Sequence, residues 1–343
     1  MSPRPSAEPA LDPLRELPPR GPGDPPWVVG FLLLPEFILL SYAAAVETLR
    51  AANQLAQRPL YAWRNLTLDG EAVQSLTRAE IQADGKVGDD LKLDLLVIAS
   101  TTRMVDSEPL LAWLRRLSRQ GVRMAGIAGG VYLMARAGLL QGRRCAVHWA
   151  HAPGLLEEFP DLLIQPDLYV IDGPRITCAG SGASADLFHA IIEAHHGRRF
   201  AFDVNEWLTH GLRPQDAPQR RPIGEKLAAR RPSLARAVEA MEAKLEDPLS
   251  REGLAAAAGL SVRQLERLFR RQFHSTIADH YRNLRLDHAR QLLRFTSRPI
   301  GQIALASGFS SLSYFSRAFR ARFDRSPSDE RADSGREGVI GGK

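Results

Sequence analysis

The chain has 343 residues, 44% of them hydrophobic and 24% charged, with a formal net charge of +6. This composition excludes a disordered polyelectrolyte, a collagen-like repeat and a membrane-embedded bundle, and the length is roughly twice that of one ordinary domain, so two separate cores are expected. Two cysteines, Cys145 and Cys178, are too few and too far apart for a disulfide framework or a zinc site, and read as reduced thiols in or beside strands.

The segment from Met1 to Pro26 is rich in Pro and Arg, lacks an apolar stretch of signal-peptide length and reads as a disordered tail. No apolar run approaches the roughly 18 residues needed to cross a bilayer, so a cytoplasmic protein without a membrane partner is expected. From Trp27 onward strand-like and helix-like segments alternate. Trp27–Leu34 (WVVGFLLL) is a buried-strand run, Phe37–Ala56 has helical periodicity, Tyr61–Leu68 alternates and Asp94–Ser100 is a second buried run. A helix over Glu108–Gln120, a strand Arg123–Ala128, a helix after Gly130 and a strand around Cys145–Trp149 follow. Asp172-Gly173 signals a hairpin, and Ala183–His196 closes the series as an amphipathic helix. This order predicts an α/β domain over residues 27–212, a flavodoxin-like sandwich whose mostly parallel sheet is covered on both faces.

Residues 213–232 (RPQDAPQRRPIGEKLAARRP) have the composition of an exposed linker. Beyond it no strand pattern recurs. An all-α domain is expected over residues 233–327, with short breaks at Gly259-Leu-Ser261, Ser297-Arg-Pro299 and Gly308-Phe-Ser310, and a second disordered tail over residues 328–343. Between Arg251 and Pro327 stand fourteen arginines against five acids, a local excess of +9 that leaves the rest of the chain at −3. A basic module on a mildly acidic body is the footprint of a polyanion partner, nucleic acid above all.

Within that module an element is duplicated. Leu254-Ala-Ala-Ala-Ala-Gly-Leu-Ser-Val-Arg-Gln-Leu-Glu-Arg-Leu-Phe269 and Ile303-Ala-Leu-Ala-Ser-Gly-Phe-Ser-Ser-Leu-Ser-Tyr-Phe-Ser-Arg-Ala-Phe319 both read as helix, Gly turn and amphipathic helix. Gly259 and Gly308 allow a left-handed exit from the first helix, Ala255 and Ala304 let the two helices cross closely, and Ser261 and Ser310 stand where an N-cap is wanted. Leu265, Leu268 and Phe269, and Tyr314, Phe315 and Phe319, supply buried stripes. The outward set is Ser261, Arg263, Gln264, Arg267, Arg270 and Arg271 in the first copy. In the second it is Ser310, Ser311, Ser313, Ser316, Arg317 and Arg320, with Tyr314 counted on both lists. Side chains near the start of each second helix are expected to reach base edges while flanking arginines neutralise phosphates. A helical bundle with solvated arginines is the structural alternative. Two copies with the same turn chemistry, carrying the whole charge excess, favour double-stranded DNA.

Leu254-Ala-Ala-Ala-Ala-Gly-Leu-Ser261, Leu265-Glu-Arg-Leu-Phe-Arg-Arg271, Arg285-Leu-Asp-His-Ala-Arg-Gln-Leu-Leu293 and Ile303–Arg320 resemble the AraC/XylS family of transcription regulators over residues 234–327. The resemblance implies two recognition helices per chain entering successive major grooves, a separate regulatory domain, promoter DNA as partner and RNA polymerase contact if the protein is an activator, the role expected here. Asp324 departs from the family, which usually has Gly before Ser326-Pro327.

The N-terminal half resembles the ThiJ/PfpI branch of the glutamine-amidotransferase-like fold, as found in GlxA-type AraC regulators. The residues concerned are Phe31-Leu-Leu-Leu-Pro-Glu-Phe37, Ala45-Val-Glu-Thr-Leu-Arg-Ala-Ala-Asn53, Arg123–Leu140, Val147-His-Trp149 and Thr177-Cys-Ala-Gly-Ser-Gly-Ala-Ser-Ala-Asp186. Enzymatic members carry a cysteine on the strand-to-helix turn, where this chain has Ala128. His148 matches the family histidine and Glu47 its acid. A methyl group cannot form a thiolate, so covalent chemistry has lost its central atom and no enzyme is expected. Ser41, Cys145 and Cys178 lie on other elements. The turn opening a helix at Gly129-Gly130 is read instead as an anion site that two glycines let a ligand approach. With Phe37, Glu47, Ala128, His148 and Trp149 it outlines a pocket for a small amino-acid-like or betaine-like effector, needing no metal and no cofactor. Glu47 pairing only with Arg50, and Trp149 as a core aromatic, are the structural alternatives. A homodimer that binds such an effector is expected. An amidase or glyoxalase-like enzyme with a DNA-binding appendage, and a helical interaction protein that never touches DNA, are the alternative functions.

Overall fold

The computed structural model describes residues 17–21, 23–101, 107–217, 219 and 231–334. The chain forms two compact units, Met1–Gln219 and Arg220–Lys343.

In the first unit the apolar runs become strands: β1 (Trp27–Leu33), β2 (Tyr61–Thr67), β3 (Val73–Gln74), β4 (Glu80–Ile81), β5 (Gly85–Lys86), β6 (Leu95–Ser100), β7 (Arg123–Ala128), β8 (Arg144–Ala146), β9 (Leu163–Gln165), β10 (Tyr169–Asp172) and β11 (Arg175–Cys178). Seven of them make one sheet in the order β10-β11-β7-β6-β1-β2-β5, parallel except where β10 pairs with β11 across the Asp172-Gly173 hairpin. Between and after them run α1 (Leu39–Ala56), α2 (Glu108–Arg119), α3 (Gly130–Arg136), α4 (Ala152–Glu158), α5 (Ala183–His196) and α6 (Arg198–Trp207). Alternate strand residues serve opposite faces. Phe31, Leu33, Leu95, Val97 and Ala99 belong to the core with α1 and α5, while Leu32, Leu34, Leu96 and Ile98 belong to the core with α2 and α3. Burial on both faces is why these strands read as continuous apolar runs rather than alternating ones. The α/β class and mostly parallel sheet are as the sequence led one to expect.

Two details differ. The strand expected around Cys145–Trp149 stops at Ala146 and pairs with β9 in a small separate sheet, so His148 and Trp149 sit on a loop. Phe37 precedes α1 and makes an isolated bridge to Ser75, and the helix starts only at Leu39.

The second unit is helical throughout its described residues: α7 (Pro232–Ala243), α8 (Arg251–Ala258), α9 (Val262–Phe273), α10 (Ile277–Phe295), α11 (Ile300–Ala306), α12 (Leu312–Phe323) and α13 (Pro327–Ser334). It has two cores. Leu234, Val238, Met241, Leu254, Leu265 and Phe269 form one, and Ile303, Phe309, Phe315 and Phe319 the other. The long helix α10 serves both, placing Ile277 and Tyr281 in the first and Leu286, Ala289, Leu292 and Leu293 in the second. No helix among the described residues is long and apolar enough to cross a membrane.

Segments expected to be loose are partly docked. Leu17 is buried in the α1/α5 core, and the backbone N–H of Arg20 donates to the carbonyl of His195 at 2.8 Å. At the start of the expected linker, Arg213 makes a two-point ion pair with the buried Asp186 carboxylate (Nη2 to Oδ2 2.8 Å, Nε to Oδ2 3.2 Å), and His210 Nε2 lies 3.0 Å from its other oxygen. A buried carboxylate needs such partners, and composition alone does not reveal it. Gln219 is held too, its amide donating to the carbonyls of Val147 (2.9 Å) and Asp167 (2.7 Å) and accepting from the N–H of Trp149 (2.8 Å). The remainder of the expected linker, residues 220–230, and of the tails, residues 1–16 and 335–343, lies outside the described residues.

The expected C-terminal tail starts as α13, and Glu330 explains it. This carboxylate is 1% exposed, accepts from Arg290 Nε at 2.7 Å and from Arg294 Nε, and has Arg325 within 3.7 Å. Burial alone would raise its pKa, but the Arg290 and Arg294 hydrogen bonds outweigh that and hold it below the usual value. Glu330→Ala leaves clustered arginines without their counter-charge and is expected to cost roughly 3–5 kcal/mol in denaturant unfolding. Because the folded-state pKa is depressed, the contribution of Glu330 is complete above the ordinary Glu range and fades as pH falls through the folded value. The gap in stability between wild type and Glu330→Gln should therefore narrow on acidification, and a gap that widens would contradict the ion-pair assignment.

Candidate nucleic-acid interface and ligand site

Each helix pair in the second unit turns as the glycines demand. Gly259 (φ +67°) and Gly308 (φ +74°) adopt the left-handed conformation. At Gly308 a side chain is also barred by space, since a Cβ there would lie 2.4 Å from the carbonyl oxygen of Leu245. Ser261 caps α9 in a reciprocal box with Gln264, its hydroxyl accepting from the Gln264 N–H while Gln264 Oε1 accepts from the Ser261 N–H. In the second copy the cap is Ser311 rather than Ser310, accepting from the Tyr314 N–H at 3.3 Å. Five residues (307–311) join the two helices here against three (259–261) in the first copy, and Phe309 is buried in the second core whereas Leu260 is only partly buried.

Leu265 and Phe269, and Phe315 and Phe319, are fully buried, which turns the opposite faces of α9 and α12 to solvent. Ser261, Arg263, Gln264, Arg267, Arg270 and Arg271 are exposed on the first copy, and Ser310, Ser311, Ser313, Arg317 and Arg320 on the second, with Ser316 half-buried. Tyr314, read also as part of the buried stripe, is 44% exposed and belongs only with the outward set.

The arginines divide by partner. Arg282 pairs with Asp279, Arg322 with Asp287, and Arg290, Arg294 and Arg325 with Glu330. Arg285 donates to the Gly308 carbonyl and lies over the Phe309 ring at 4.7 Å. Arg270 reaches Glu266 at 3.5 Å. Arg263, Arg267 and Arg271 on α9, and Arg317 and Arg320 on α12, have no ion-pair partner among the described residues. They are spaced at i, i+4, i+8 and at i, i+3, which puts each set on one helix face. Beside α12 a groove of about 540 Å³ is lined by Arg282, Asn283, Tyr314, Arg317 and Arg322. The outward set read from the sequence does not include Arg282 and Asn283. They lie in the second turn of α10, outside both glycine-turn pairs, where no motif marks them, and only the packing of α10 against α12 brings them there.

The turn at the end of β7 keeps the backbone of a nucleophile elbow. Ala128 has φ +54°, a left-handed conformation that costs a non-glycine residue of order 1–3 kcal/mol. The glycines after it do not make room for a ligand. A Cβ on Gly129 would lie 2.0 Å from the Thr101 carbonyl oxygen, and one on Gly130 2.0 Å from that of Ile98, so both glycines exist to let the turn pack on the end of β6. This corrects the reading of Gly129-Gly130 as an open anion site. A Cβ on Gly180 would likewise meet the Ala128 methyl at 2.8 Å.

Other expected contacts also part company. Glu47 is exposed and pairs with Arg50 at 2.7 Å, and Phe37 is a core residue against Tyr42. Helical periodicity placed Glu47 on α1 but could not say which way it faced. His148 and Trp149 remain, half-buried side by side with ring centroids 5.3 Å apart, and His151 lies 5.4 Å from His148. Tyr132, on the helix after the elbow, ties this loop down by donating to the His151 carbonyl at 2.9 Å. Burial lowers the pKa of His148, and burial together with His148 lowers that of His151 to about 4, so both are neutral bases at pH 7. Burial pushes the Cys145 thiol up to about 11 and the Cys178 thiol up to about 12, which leaves neither as a thiolate.

Paired helix-turn-helix units whose outward helices carry arginines without an ion-pair partner among the described residues, following in sequence an α/β unit with alanine at its elbow, define a DNA-binding regulator with a separate α/β domain. A helix-turn-helix domain model matches residues 254–333 and a DJ-1/PfpI family model residues 36–194. The former runs through α13, beyond the expected end of the domain. The chain is 41% identical over 311 residues to the HTH-type transcriptional regulator GlxA of Rhizobium meliloti, covering 90% of this chain and 96% of that one. It is 42% identical over 305 residues to the HTH-type transcriptional regulator CdhR of Pseudomonas aeruginosa, covering 88% and 90%. Among solved structures, an AraC family transcriptional regulator from Pseudomonas putida matches at 28% identity with a TM-score of 0.48, over 53% of this chain and 100% of that one. The chain belongs to the AraC-type helix-turn-helix transcriptional regulators that carry a DJ-1/PfpI domain.

Two measurements follow from the interface. Replacing both Arg317 and Arg320 with Ala should weaken promoter binding and reduce the slope of log K against log salt by about 1 per arginine, measured by fluorescence anisotropy. Gly308→Ala should destabilise the second unit much more than Gly259→Ala, because only the former drives a methyl into a backbone carbonyl. Equal losses in thermal unfolding would refute that difference.

Proposed function

We propose that this regulator binds promoter DNA as a homodimer, each chain presenting α9 and α12 to the duplex, and that its first unit senses a small amino-acid-like or betaine-like metabolite without converting it. The observation that carries the DNA contacts is the set of five unpartnered arginines, Arg263, Arg267, Arg271, Arg317 and Arg320, on faces whose backs are fully buried. Ser261, Gln264, Ser310, Ser311, Ser313, Tyr314 and Ser316 are the polar groups beside them suited to base edges. Contact with RNA polymerase, as an activator in the cytoplasm, completes this reading.

For the sensor, support comes from what the elbow keeps and lacks. The strained turn persists at Ala128, yet no atom there can attack a carbonyl, and the two remaining thiols are protonated and buried. This disfavours the amidase or glyoxalase-like reading. The half-buried Trp149 ring offers a face to an ammonium or quaternary nitrogen, and neutral His148 offers a ring nitrogen beside it.

A signal also has a route out. Gln219 closes the first unit by gripping Val147, Trp149 and Asp167, the residues on either side of His148 among them. A ligand seated on His148 and Trp149 that favours one arrangement of this grip would bias where the chain leaves the sensor, and hence which arrangements of the DNA-binding units are populated.

Isothermal titration of the full chain against a panel of amino acids and betaines should give one saturable ligand, recovered chemically unchanged. Trp149→Ala should weaken it about 2- to 30-fold, the range of a cation–π contact. Gln219→Ala should preserve ligand affinity while shrinking the ligand-dependent change in promoter affinity. Silence across the panel, or turnover of any member, would overturn the sensor reading.

A further inference from the structure

Away from both sites, the first unit has a notch of about 270 Å³ lined by Arg20, Ala56, Arg58, Leu60, His196 and Phe200. Three separate pieces of chain meet there: the docked N-terminal segment, the end of α1 with its following turn, and the junction of α5 with α6. Its floor is apolar. Its rim carries two guanidinium groups and an imidazole, and no lining residue is acidic.

These cations are not spent on structure. Arg58 has no hydrogen-bond or ion-pair partner among the described residues. Arg20 donates one N–H to the Pro25 carbonyl and leaves the rest of its guanidinium uncommitted. Asp24, whose charge acts on His196 against that of the two arginines, accepts from the Gly21 N–H. His196 packs edge-on against Phe200 with centroids 5.7 Å apart, and its Nε2 is buried without a hydrogen-bond partner. Burial above all, and then Arg58 and Arg20 against the opposing charge of Asp24, hold the His196 imidazole below its usual pKa. An ordinary surface arginine finds water or a neighbour. Two that flank an apolar floor beside an orphaned buried nitrogen leave a space shaped for an anion with a hydrophobic body.

We propose that this notch is a second ligand site, taking a small organic carboxylate whose head group meets Arg20 and Arg58 and whose apolar body lies on Ala56, Leu60 and Phe200. The volume falls just under the usual range for drug-sized ligands, about 300–1,000 Å³, and so suits a single-ring or short-chain acid. The site is independent of the His148–Trp149 loop, and its existence does not rest on the sensor reading.

Benzoate is the probe, titrated calorimetrically into the full chain, with inorganic phosphate and chloride at matched ionic strength as comparison arms. Saturable benzoate binding is expected, at least tenfold weaker in Arg58→Ala and in Arg20→Ala and unchanged in Trp149→Ala. Arg58 supports no other group, so its loss leaves the fold intact, and thermal unfolding of that variant checks this. Phe200→Ala should weaken benzoate while leaving any phosphate response unaltered. The proposal fails if chloride reproduces the benzoate signal, if Arg58→Ala leaves benzoate affinity unchanged, or if phosphate binds as tightly as benzoate.

Discussion

The second unit depends on one helix serving two cores. At 1.5 Å per residue the 19 residues of α10 reach about 28 Å, and residues near its two ends are buried in different hydrophobic clusters. Each cluster holds one of the outward-facing helices, α9 or α12, in place by buried phenylalanine. The separation of α9 from α12 is therefore as stiff as α10 itself. Successive major grooves on one face of B-DNA recur every 34–36 Å or so, and a rigid strut of comparable length removes the need to order two independent modules on binding. The Glu330 cluster belongs to the same constraint, because it clamps α13 to the last turns of α10 through Arg290 and Arg294, and Arg331 adds hydrogen bonds to the carbonyls of Leu293 and Arg298.

This arrangement changes what the basic charge of the module means. Summed along the chain, fourteen arginines look like one cationic surface. Folded, five of them neutralise Asp279, Asp287 and Glu330, and another is committed to a backbone carbonyl and an aromatic ring. Arginine suits both tasks, since a planar fork satisfies a buried carboxylate as readily as a phosphate. What separates the two populations is position relative to the buried stripe. Arg267, Arg271, Arg317 and Arg320, one or two residues from Phe269 or Phe319, make no ion pair among the described residues, whereas Arg290 and Arg294 on α10 meet Glu330 of α13 and Arg322 of α12 meets Asp287 of α10.

Much of this was legible in the sequence. The buried strands around β1, β6 and β7, the hairpin at Asp172-Gly173, α5 and α10 follow from apolar pattern and turn chemistry alone, because two-faced burial and 3.6-residue periodicity are local signals. The duplicated Gly turns were readable for the same reason. The failures share a different cause. Glu330, Gln219 and Arg213 lie in polar, Pro- and Arg-rich stretches whose composition says loop or tail, yet each is held by a long-range polar contact that composition cannot encode. Gly129 and Gly130 were legible as glycines of a turn, but only coordinates show which neighbour comes close, and it is the end of β6. Glu47 lies on α1 as periodicity predicted, with its side chain on the solvent face beside Arg50.

The elbow at Ala128 couples a strained backbone to its neighbours. In a nucleophilic enzyme the left-handed turn holds the attacking atom away from the helix and strand that flank it, at a cost in backbone strain. Here the strained turn carries only a methyl group, and it is wedged between the end of β6 and the Gly180 segment. A wedge of this kind transmits displacement, because close-packed backbone has no slack in which to lose it. The Gly180 segment connects onward: Ser181 donates to Ser41 at the start of α1, and a turn later Asp186 grips Arg213. The loop carrying His148 and Trp149 meets Gln219. One anchor, Arg213, thus joins the helix that follows the Gly180 segment, and the other, Gln219, joins the loop of His148 and Trp149. A ligand that shifts an equilibrium does so only by the difference in its affinity for two arrangements, and a 1.4 kcal/mol preference already changes the population ratio tenfold. Two anchors made of a handful of hydrogen bonds are of the right size to be tipped by such a preference, whereas the fully buried sheet core is not.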